Sequence, residues 1–335
     1  MSAHEPSSWS RRAFLRELAV VGASASALAC FTRAGTAGSA SSLSAASPLA
    51  LDHIGVQLYT VGDLMRQDFV GTVEQVAAIG YKQVEFAGYF NKQPAEVRVL
   101  LDRLGLKSPS THIGMDVLRR DLPAQIDIAK IIGHEYITIP SLGRSEVPMN
   151  TADAWKRVAS ECNEIGSKVK AAGLKLAFHS HSGEFIDVGG GKTGMDIFIS
   201  ETDPSVFNFQ IDLGWARVAS QDPVAWFRRY PGRFRMWHIK DFENLSAAQA
   251  RQTDAFRNPG AASGGRGTGA PPALQAGRPA PIGAGDIDFK PILAAWKDAG
   301  LEYFFVEQDG AAQWPGGSLA SIATSYQAVR KLVVA

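Results

Sequence analysis

Short runs of apolar and β-branched residues recur along the chain from about residue 52, and stretches with helical spacing separate them. Eight runs have the composition of strands: "IGVQLYT" (54–60), "QVEFAG" (83–88), "SPSTHIG" (108–114), "YITIPS" (136–141), "KLAFHSH" (175–181), "FNFQIDLG" (207–214), "FRMWHIKD" (234–241) and "YFFVEQD" (303–309). Between them, the spacing of apolar residues predicts helices that include 72–80, 151–173 and 288–300. Several of these stretches end in Gly, where helices commonly stop. The pattern therefore predicts eight strand–helix units in series.

Continuous apolar strands that alternate with helices are typical of a parallel sheet buried on both faces. Eight units in about 280 residues match a closed (β/α)8 barrel in number and size. A doubly wound open sheet is the alternative, but no Gly-rich dinucleotide-binding fingerprint follows the first run. We therefore expect an α/β protein in which residues 50–335 form a single-domain TIM barrel.

Residues 245–285 interrupt this rhythm, because they are rich in Gly, Ala and Pro and have little apolar periodicity. We interpret them as a loop insertion after the seventh strand. Loops that follow strands lie on the catalytic face of such barrels. A lid, a partner contact and an insertion without a role are all compatible with this composition.

Composition and charge argue against a protein that binds polyanions. The 335 residues are 45% hydrophobic and 20% charged, as in a soluble globular protein, and the formal net charge is +1. Nucleic-acid binding usually requires a basic face, so we expect no nucleic-acid partner. The oligomeric state does not follow from the sequence, and a homo-oligomer stays open.

Residues 1–45 have the pattern of an export signal and linker. Arg11 and Arg12 precede a modest, Ala-rich apolar stretch, and small residues follow up to Ala40. The pattern resembles a twin-arginine signal, which predicts passage through the twin-arginine translocase and a periplasmic location. The apolar stretch is too short and too poor in large residues to span a bilayer. A lipid anchor at Cys30, in "ALAC", is a weaker alternative.

Titratable side chains stand at the ends of the predicted strands, where a TIM barrel has its active site. They are Glu85, His112, His179, His181, Glu184, Asp212, His238, Lys240, Asp241, Glu307 and Asp309. Burying one unpaired carboxylate is costly, so packing does not explain acidic and imidazole groups at successive strand ends. Mixed imidazole and carboxylate ligands predict one divalent metal ion, and Mn, Co, Mg, Zn and Fe all suit such a set.

Five motifs, in their order and spacing, resemble the sugar phosphate isomerase/epimerase family, whose barrel belongs to the xylose-isomerase-like group. They are "HSHSGEF" (179–185), "IDLGW" (211–215), "HIKD" (238–241), "GAGDIDF" (283–289) and "VEQD" (306–309). The resemblance implies a metal held by an acidic residue from strand five, Asp from six, His from seven and Glu from eight. The last three positions correspond to Asp212, His238 and Glu307. The strand-five Glu is replaced by His179, so the fourth ligand is either His179 or the nearby Glu184.

The resemblance implies a metal-dependent sugar isomerase or epimerase that abstracts a proton beside a carbonyl, with the metal stabilising the enediolate. The catalytic candidates are Glu184, Glu307, His181 and Lys240, and a salt bridge is an equal interpretation of Lys240. We expect Glu85, His112 and Trp215 to contact the sugar. Export argues for a sugar without phosphate. A 3-keto-glycoside lyase or hydratase on the same site, or a non-catalytic periplasmic sugar-binding protein, is the alternative.

Overall fold

The computed structural model describes residues 54–142, 151–257 and 277–334, and eight parallel strands within them close into a barrel. The strands of these residues are β1 (Ile54–Gln57), β2 (Gln83–Phe86), β3 (Lys107–His112), β4 (Tyr136–Ile139), β5 (Lys175–His179), β6 (Phe207–Asp212), β7 (Met236–Ile239), β8 (Asp241–Glu243), β9 (Arg278–Ala280) and β10 (Tyr303–Val306). β1 to β7 pair in sequence order, and β10 closes the barrel between β7 and β1. The predicted (β/α)8 barrel is confirmed, and each predicted run contains a whole barrel strand except the third, because β3 begins one residue before it.

Helices lie in the connections between strands and after the last strand. They are α1 (Gly62–Met65), α2 (Phe69–Ile79), α3 (Pro94–Leu104), α4 (Met115–Ile132), α5 (Ala152–Ala171), α6 (Gly194–Glu201), α7 (Leu213–Val218), α8 (Pro223–Arg229), α9 (Leu245–Arg257), α10 (Lys290–Ala294), α11 (Trp296–Ala299) and α12 (Gly317–Val334). Side chains cap the N-termini of several helices. At α2 the side chain of Asp68 accepts the backbone N–H of Gly71, and at α5 the side chain of Thr151 accepts the backbone N–H of Ala154. In the described part of the chain, no helix is both long and apolar enough to cross a membrane.

The segment 245–285, which we predicted as a loop, has regular structure at both ends. α9 begins it, and β9 near its end pairs antiparallel with β8 outside the barrel. The carboxylate of Asp241 accepts backbone N–H groups from Gly283, Gly285 and Ile287, which holds the returning chain against β8. Residues 258–276 lie outside the described residues, as does the predicted export segment with Cys30.

The two faces of each barrel strand have different surroundings. Ile211 and Trp237 belong to the large apolar core between strands and helices, whereas their neighbours Asp212 and His238 are buried polar residues. This alternation follows from the period of two along a strand. A separate apolar cluster consists of Tyr136, Ala177, Met236 and Phe305. Since the ring of Phe305 lies 6.1 Å from that of His238, this cluster adjoins the polar side chains of the barrel interior.

Candidate metal centre

Two histidines and two carboxylates converge where four neighbouring barrel strands end. One ligand atom from each lies within 4.8 Å of the others, and all four residues are buried: His179, Asp212, His238 and Glu307. His179 lies on β5, Asp212 on β6 and His238 on β7, and Glu307 directly follows β10. Because parallel strands of a barrel end at the same rim, residues far apart in the sequence come together there.

Asp212 caps a helix with one oxygen and presents the other to this group of four. Its Oδ1 accepts the backbone N–H of Trp215 at 2.8 Å, at the start of α7. Its Oδ2 is buried and has no hydrogen-bond partner among the described residues. Nζ of Lys240 lies 3.0 Å from that oxygen, but in an orientation that makes no hydrogen bond. The charge of Lys240 offsets that of this oxygen, but the oxygen keeps a lone pair free toward the group of four, so the residues present fit a divalent metal ion.

His238 lies between two carboxylates. Its Nδ1 is 2.7 Å from Oε2 of Glu307, and its Nε2 is 2.6 Å from Oε2 of Glu85. Burial by itself would lower the pKa of His238, but the charges of Glu307 and Glu85 raise it to about 10. Burial would likewise raise the pKa of Glu307, but Lys240 and His238 hold it well below its ordinary value. Glu307 is therefore ionised at neutral pH.

Lys240 is a buried ammonium surrounded by carboxylates. Its Nζ lies 2.6 Å from Asp309, 3.0 Å from Asp212 and 3.1 Å from Glu307. Burial lowers the pKa of Lys240, but these three charges raise it well above its ordinary value, so the side chain stays protonated. The indole of Trp215 lies over this ammonium, with Nζ 5.3 Å from the ring centroid. Lys240 thus forms salt bridges at the edge of the group of four, as one of its two interpretations predicted.

His181 and Glu184 follow β5 and lie beside the group of four. Oε2 of Glu184 accepts the backbone N–H of His181 at 2.8 Å, within a turn that includes the 3-10 helix Gly183–Phe185. Burial, with a contribution from the charge of Asp212, raises the pKa of Glu184 to about 7. Burial and Lys240 lower the pKa of His181 to about 3, and its ring packs edge-on against His179 at 4.7 Å. Of the two candidates for the strand-five ligand, His179 belongs to the group of four and Glu184 does not.

Glu85 and His112, which we expected to contact the sugar, lie next to His238 and bond to other polar side chains. Glu85 is completely buried, and its two oxygens accept hydrogen bonds from Gln57, Gln210 and His238. Nε2 of His112 lies 2.9 Å from Oε1 of Gln210. We name the side chains of Gln57, Glu85, His112 and Gln210 the inner polar cluster. Its contacts leave no oxygen of Glu85 free for a sugar hydroxyl.

Sequence reasoning missed two members of the inner polar cluster, Gln57 and Gln210. The strand period contains a signal for Gln210, because this residue lies two positions before Asp212 and therefore on the same face of β6. Both glutamines are completely buried. An amide at such a position requires hydrogen-bond partners, which makes a buried Gln beside a candidate ligand informative.

Comparisons with known proteins agree with the barrel fold. Residues 73–326 match the family model of the xylose isomerase-like TIM barrel. An inosose dehydratase from Lacticaseibacillus casei is 23% identical over 268 residues, which are 74% of this chain and 85% of that protein. A sugar phosphate isomerase/epimerase from Parabacteroides distasonis has a TM-score of 0.66 and 23% identity, with 89% of this chain and 100% of that chain covered. The IolI protein with a bound zinc atom has a TM-score of 0.63 and 12% identity, with 84% and 98% covered.

Proposed function

The chain belongs to the family of xylose isomerase-like TIM barrels, and on this premise we propose a divalent-metal-dependent enzyme that removes a proton beside the carbonyl of a sugar or cyclitol. The observation that carries the proposal is the convergence of two imidazoles and two carboxylates at the catalytic rim, with Oδ2 of Asp212 buried and without a hydrogen bond. A periplasmic binding protein has no need for so many buried titratable groups at one point.

The metal ligands in this proposal are His179, Asp212, His238 and Glu307. His179 takes the strand-five position, because it lies within ligand distance of the other three. Its pKa is well below the ordinary value, chiefly through burial and then through the neighbouring His238, so its imidazole is neutral as a ligand must be. Two nitrogen and two oxygen donors suit Zn, Mn, Co or Fe better than Mg, which prefers oxygen alone. A bound divalent ion would act as a Lewis acid that stabilises negative charge on the substrate's carbonyl oxygen.

Glu307 and Glu184 are the proposed base and acid. Both contacts described for Glu307 use Oε2, so Oε1 is the oxygen that takes the proton from carbon. Glu184, whose pKa is about 7, holds a proton that it can donate. The surroundings lower the pKa of Glu307 and raise that of Glu184, which suits the first carboxyl to accept a proton and the second to donate one. Lys240 adds a fixed positive charge beside the developing oxyanion.

The products depend on the step that comes after removal of the proton. An acid that protonates a hydroxyl or alkoxyl on the next carbon would expel it, which is the chemistry of a dehydratase or lyase. The relatives named inosose dehydratases support this outcome. Isomerisation or epimerisation is the second candidate, and the neutral imidazole of His181, which packs against His179, favours it as a group that could relay a proton back to carbon.

One assay separates these outcomes. Purified protein, after elemental analysis for metal, is incubated in D2O with an inosose, a 3-keto-glucoside and free ketoses, and the products are followed by NMR. Deuterium uptake with loss of water or aglycone supports the lyase. Deuterium uptake with the carbon skeleton and all substituents retained supports the isomerase or epimerase. Binding without deuterium exchange in a metal-loaded sample contradicts the enzyme proposal and favours a sugar-binding protein.

We also propose that the enzyme works in the periplasm on a sugar without phosphate. Arg11 and Arg12 support export through the twin-arginine pathway. In the site, the ammonium of Lys240 is already paired with three carboxylates, which is a poor environment for a phosphate dianion. Fractionation of cells that carry the wild type or the Arg11→Lys, Arg12→Lys double variant tests the location. Absence of the wild type from the periplasmic fraction would contradict the location, and equal periplasmic recovery of the two would contradict the twin-arginine route.

A further inference from the structure

The inner polar cluster has an unambiguous hydrogen-bond direction, and a backbone amide sets it. The N–H of Tyr59 lies 3.1 Å from Oε1 of Gln57 and can only donate. The amide nitrogen of Gln57 must therefore face Oε2 of Glu85, 2.8 Å away. An amide has one accepting and one donating end, so fixing one end fixes the other.

The direction continues from Glu85 to Gln210. Oε1 of Glu85 lies 2.8 Å from Nε2 of Gln210, and a carboxylate only accepts. The amide oxygen of Gln210 therefore points the other way, where it lies 3.0 Å from Nδ1 of His179 and 2.9 Å from Nε2 of His112. Both imidazole nitrogens must carry hydrogen and donate to it.

Glu85 acts on the second histidine directly. Its Oε2 accepts from Nε2 of His238 at 2.6 Å, so this nitrogen also carries hydrogen. Nε2 of His179, which faces Asp212 at 3.9 Å, remains to bind a metal. Nδ1 of His238 donates to Oε2 of Glu307 at 2.7 Å, and a metal would bind this nitrogen in place of that hydrogen. His112, His179 and His238 also lie near enough together to hold an ion. In each of these three rings, however, the nitrogen that points to Gln210 or Glu85 carries hydrogen and donates it, instead of binding an ion.

We infer that Glu85 and Gln210 are positioning residues, which fix the tautomers and ring orientations of His179 and His238 and thereby create the metal site. The inference rests on the proposed metal-dependent function, but its hydrogen-bond logic concerns the protein alone. One carboxylate on β2 thus controls two candidate ligands on β5 and β7, one directly and one through Gln210. Groups that orient a ligating histidine in this way typically change metal affinity by about 10- to 100-fold when they are removed.

Glu85→Gln is the informative substitution, because every described group facing this carboxylate donates. The new amide must point its NH2 at one of those donors, so either Gln210 turns round or His238 gives up the hydrogen on Nε2. Gln210→Met is the second variant, since it removes the acceptor for His179 at similar volume and leaves the bond between Glu85 and His238. Thr138→Val is the matched control: Thr138 is also buried inside the barrel, but its hydroxyl pairs with Ser110.

Two measurements test the inference. The first is the Co²⁺ affinity of each folded variant by chelator competition, with the absorption spectrum of bound Co²⁺ as a signature of its ligands. We expect Glu85→Gln and Gln210→Met to bind about 10- to 100-fold more weakly than wild type and Thr138→Val to bind within about threefold. Wild-type affinity and spectrum in both Glu85→Gln and Gln210→Met would overturn the inference.

The second measurement is ¹⁵N NMR of the histidine rings in metal-free protein. We expect His179 as the neutral tautomer with hydrogen on Nδ1 in wild type and Thr138→Val, and a loss of this single tautomer in Gln210→Met. Hydrogen on Nε2 of His179 in the wild type would overturn the inference whatever the activity. If the wild type bound no Co²⁺, the proposed function would fail, while the NMR result would still decide whether Gln210 sets the tautomer.

Discussion

Nε2 of His179 and Oδ2 of Asp212 face each other across the β5–β6 pair at 3.9 Å. Their separation exceeds a hydrogen bond, and the oxygen has no hydrogen-bond partner within the described residues. A neutral imidazole nitrogen and a carboxylate oxygen at this distance can share one cation. This relationship distinguishes His179 from Glu184, whose carboxylate is bound to the backbone of its own turn.

Substitution of the two strand-five candidates should have opposite effects on metal binding. We expect His179→Ala to lower metal affinity by at least about tenfold, because it removes a proposed ligand. Glu184→Gln should keep the metal and lower turnover by about 10²–10⁴-fold, which leaves a measurable rate. Elemental analysis after dialysis and an activity assay with added metal measure both effects. Loss of metal in Glu184→Gln together with its retention in His179→Ala would make Glu184 the ligand.

Glu307→Gln should fold and lose activity. Removal of a proton-transferring group typically costs about 10²–10⁴ in rate, and the loss of a proposed ligand adds to it. Glu302→Gln is the matched control, since the same change is made at the other end of β10, away from the site. Circular dichroism checks the fold, and deuterium exchange into a keto-sugar checks the chemistry. Comparable activity in the two variants would contradict the role of Glu307.

The rate should fall on the alkaline side of neutrality. Glu184 holds its proton below its pKa of about 7 and loses it above, because burial and then Asp212 disfavour its charged form. If Glu184 is the acid, kcat should decrease about tenfold per pH unit above this pKa. The pH profile of kcat for wild type and Glu184→Gln measures this, and the variant should lack that alkaline limb. If kcat of the variant fell above pH 7 as it does in wild type, the decrease would belong to another group.

Glu302 should stabilise the barrel in a pH-dependent way. Its carboxylate accepts from Lys175 at 2.7 Å, Tyr136 at 2.7 Å and Arg235 at 3.0 Å. Although burial raises its pKa, these partners lower it below the ordinary value of 4.5. The stabilisation is therefore present above that value and is lost as the pH falls through the lower, folded-state pKa.

We expect Glu302→Gln to reduce the free energy of unfolding by about 1–2 kcal/mol at pH 7, allowing for partial exposure of the ion pairs. The difference from wild type should shrink at pH values below the folded-state pKa. Urea unfolding at both pH values measures it. A difference that stays constant or grows on acidification would contradict the assigned network.

The fold was predictable because its determinants are local. Apart from the first residue of β3, each barrel strand lies within one of the eight apolar runs. The stretches at 72–80 and 151–173 became α2 and α5, with side-chain caps nearby in sequence. α9 was missed because its residues, Leu245–Arg257, adjoin a Gly- and Pro-rich stretch and have little apolar periodicity.

The sequence by itself determined which residues end the strands, and so it predicted that His179, Asp212, His238 and Glu307 share one rim. Only the tertiary structure decided that Glu85 lies behind His238, that Gln210 joins Glu85 to His179, and that Glu184 folds back onto its own turn. The physical reason is that the strand period and the chain order determine on which face of the sheet, and at which rim of the barrel, a side chain lies. Closure of the barrel and the single donor or acceptor character of each group then fix its partners.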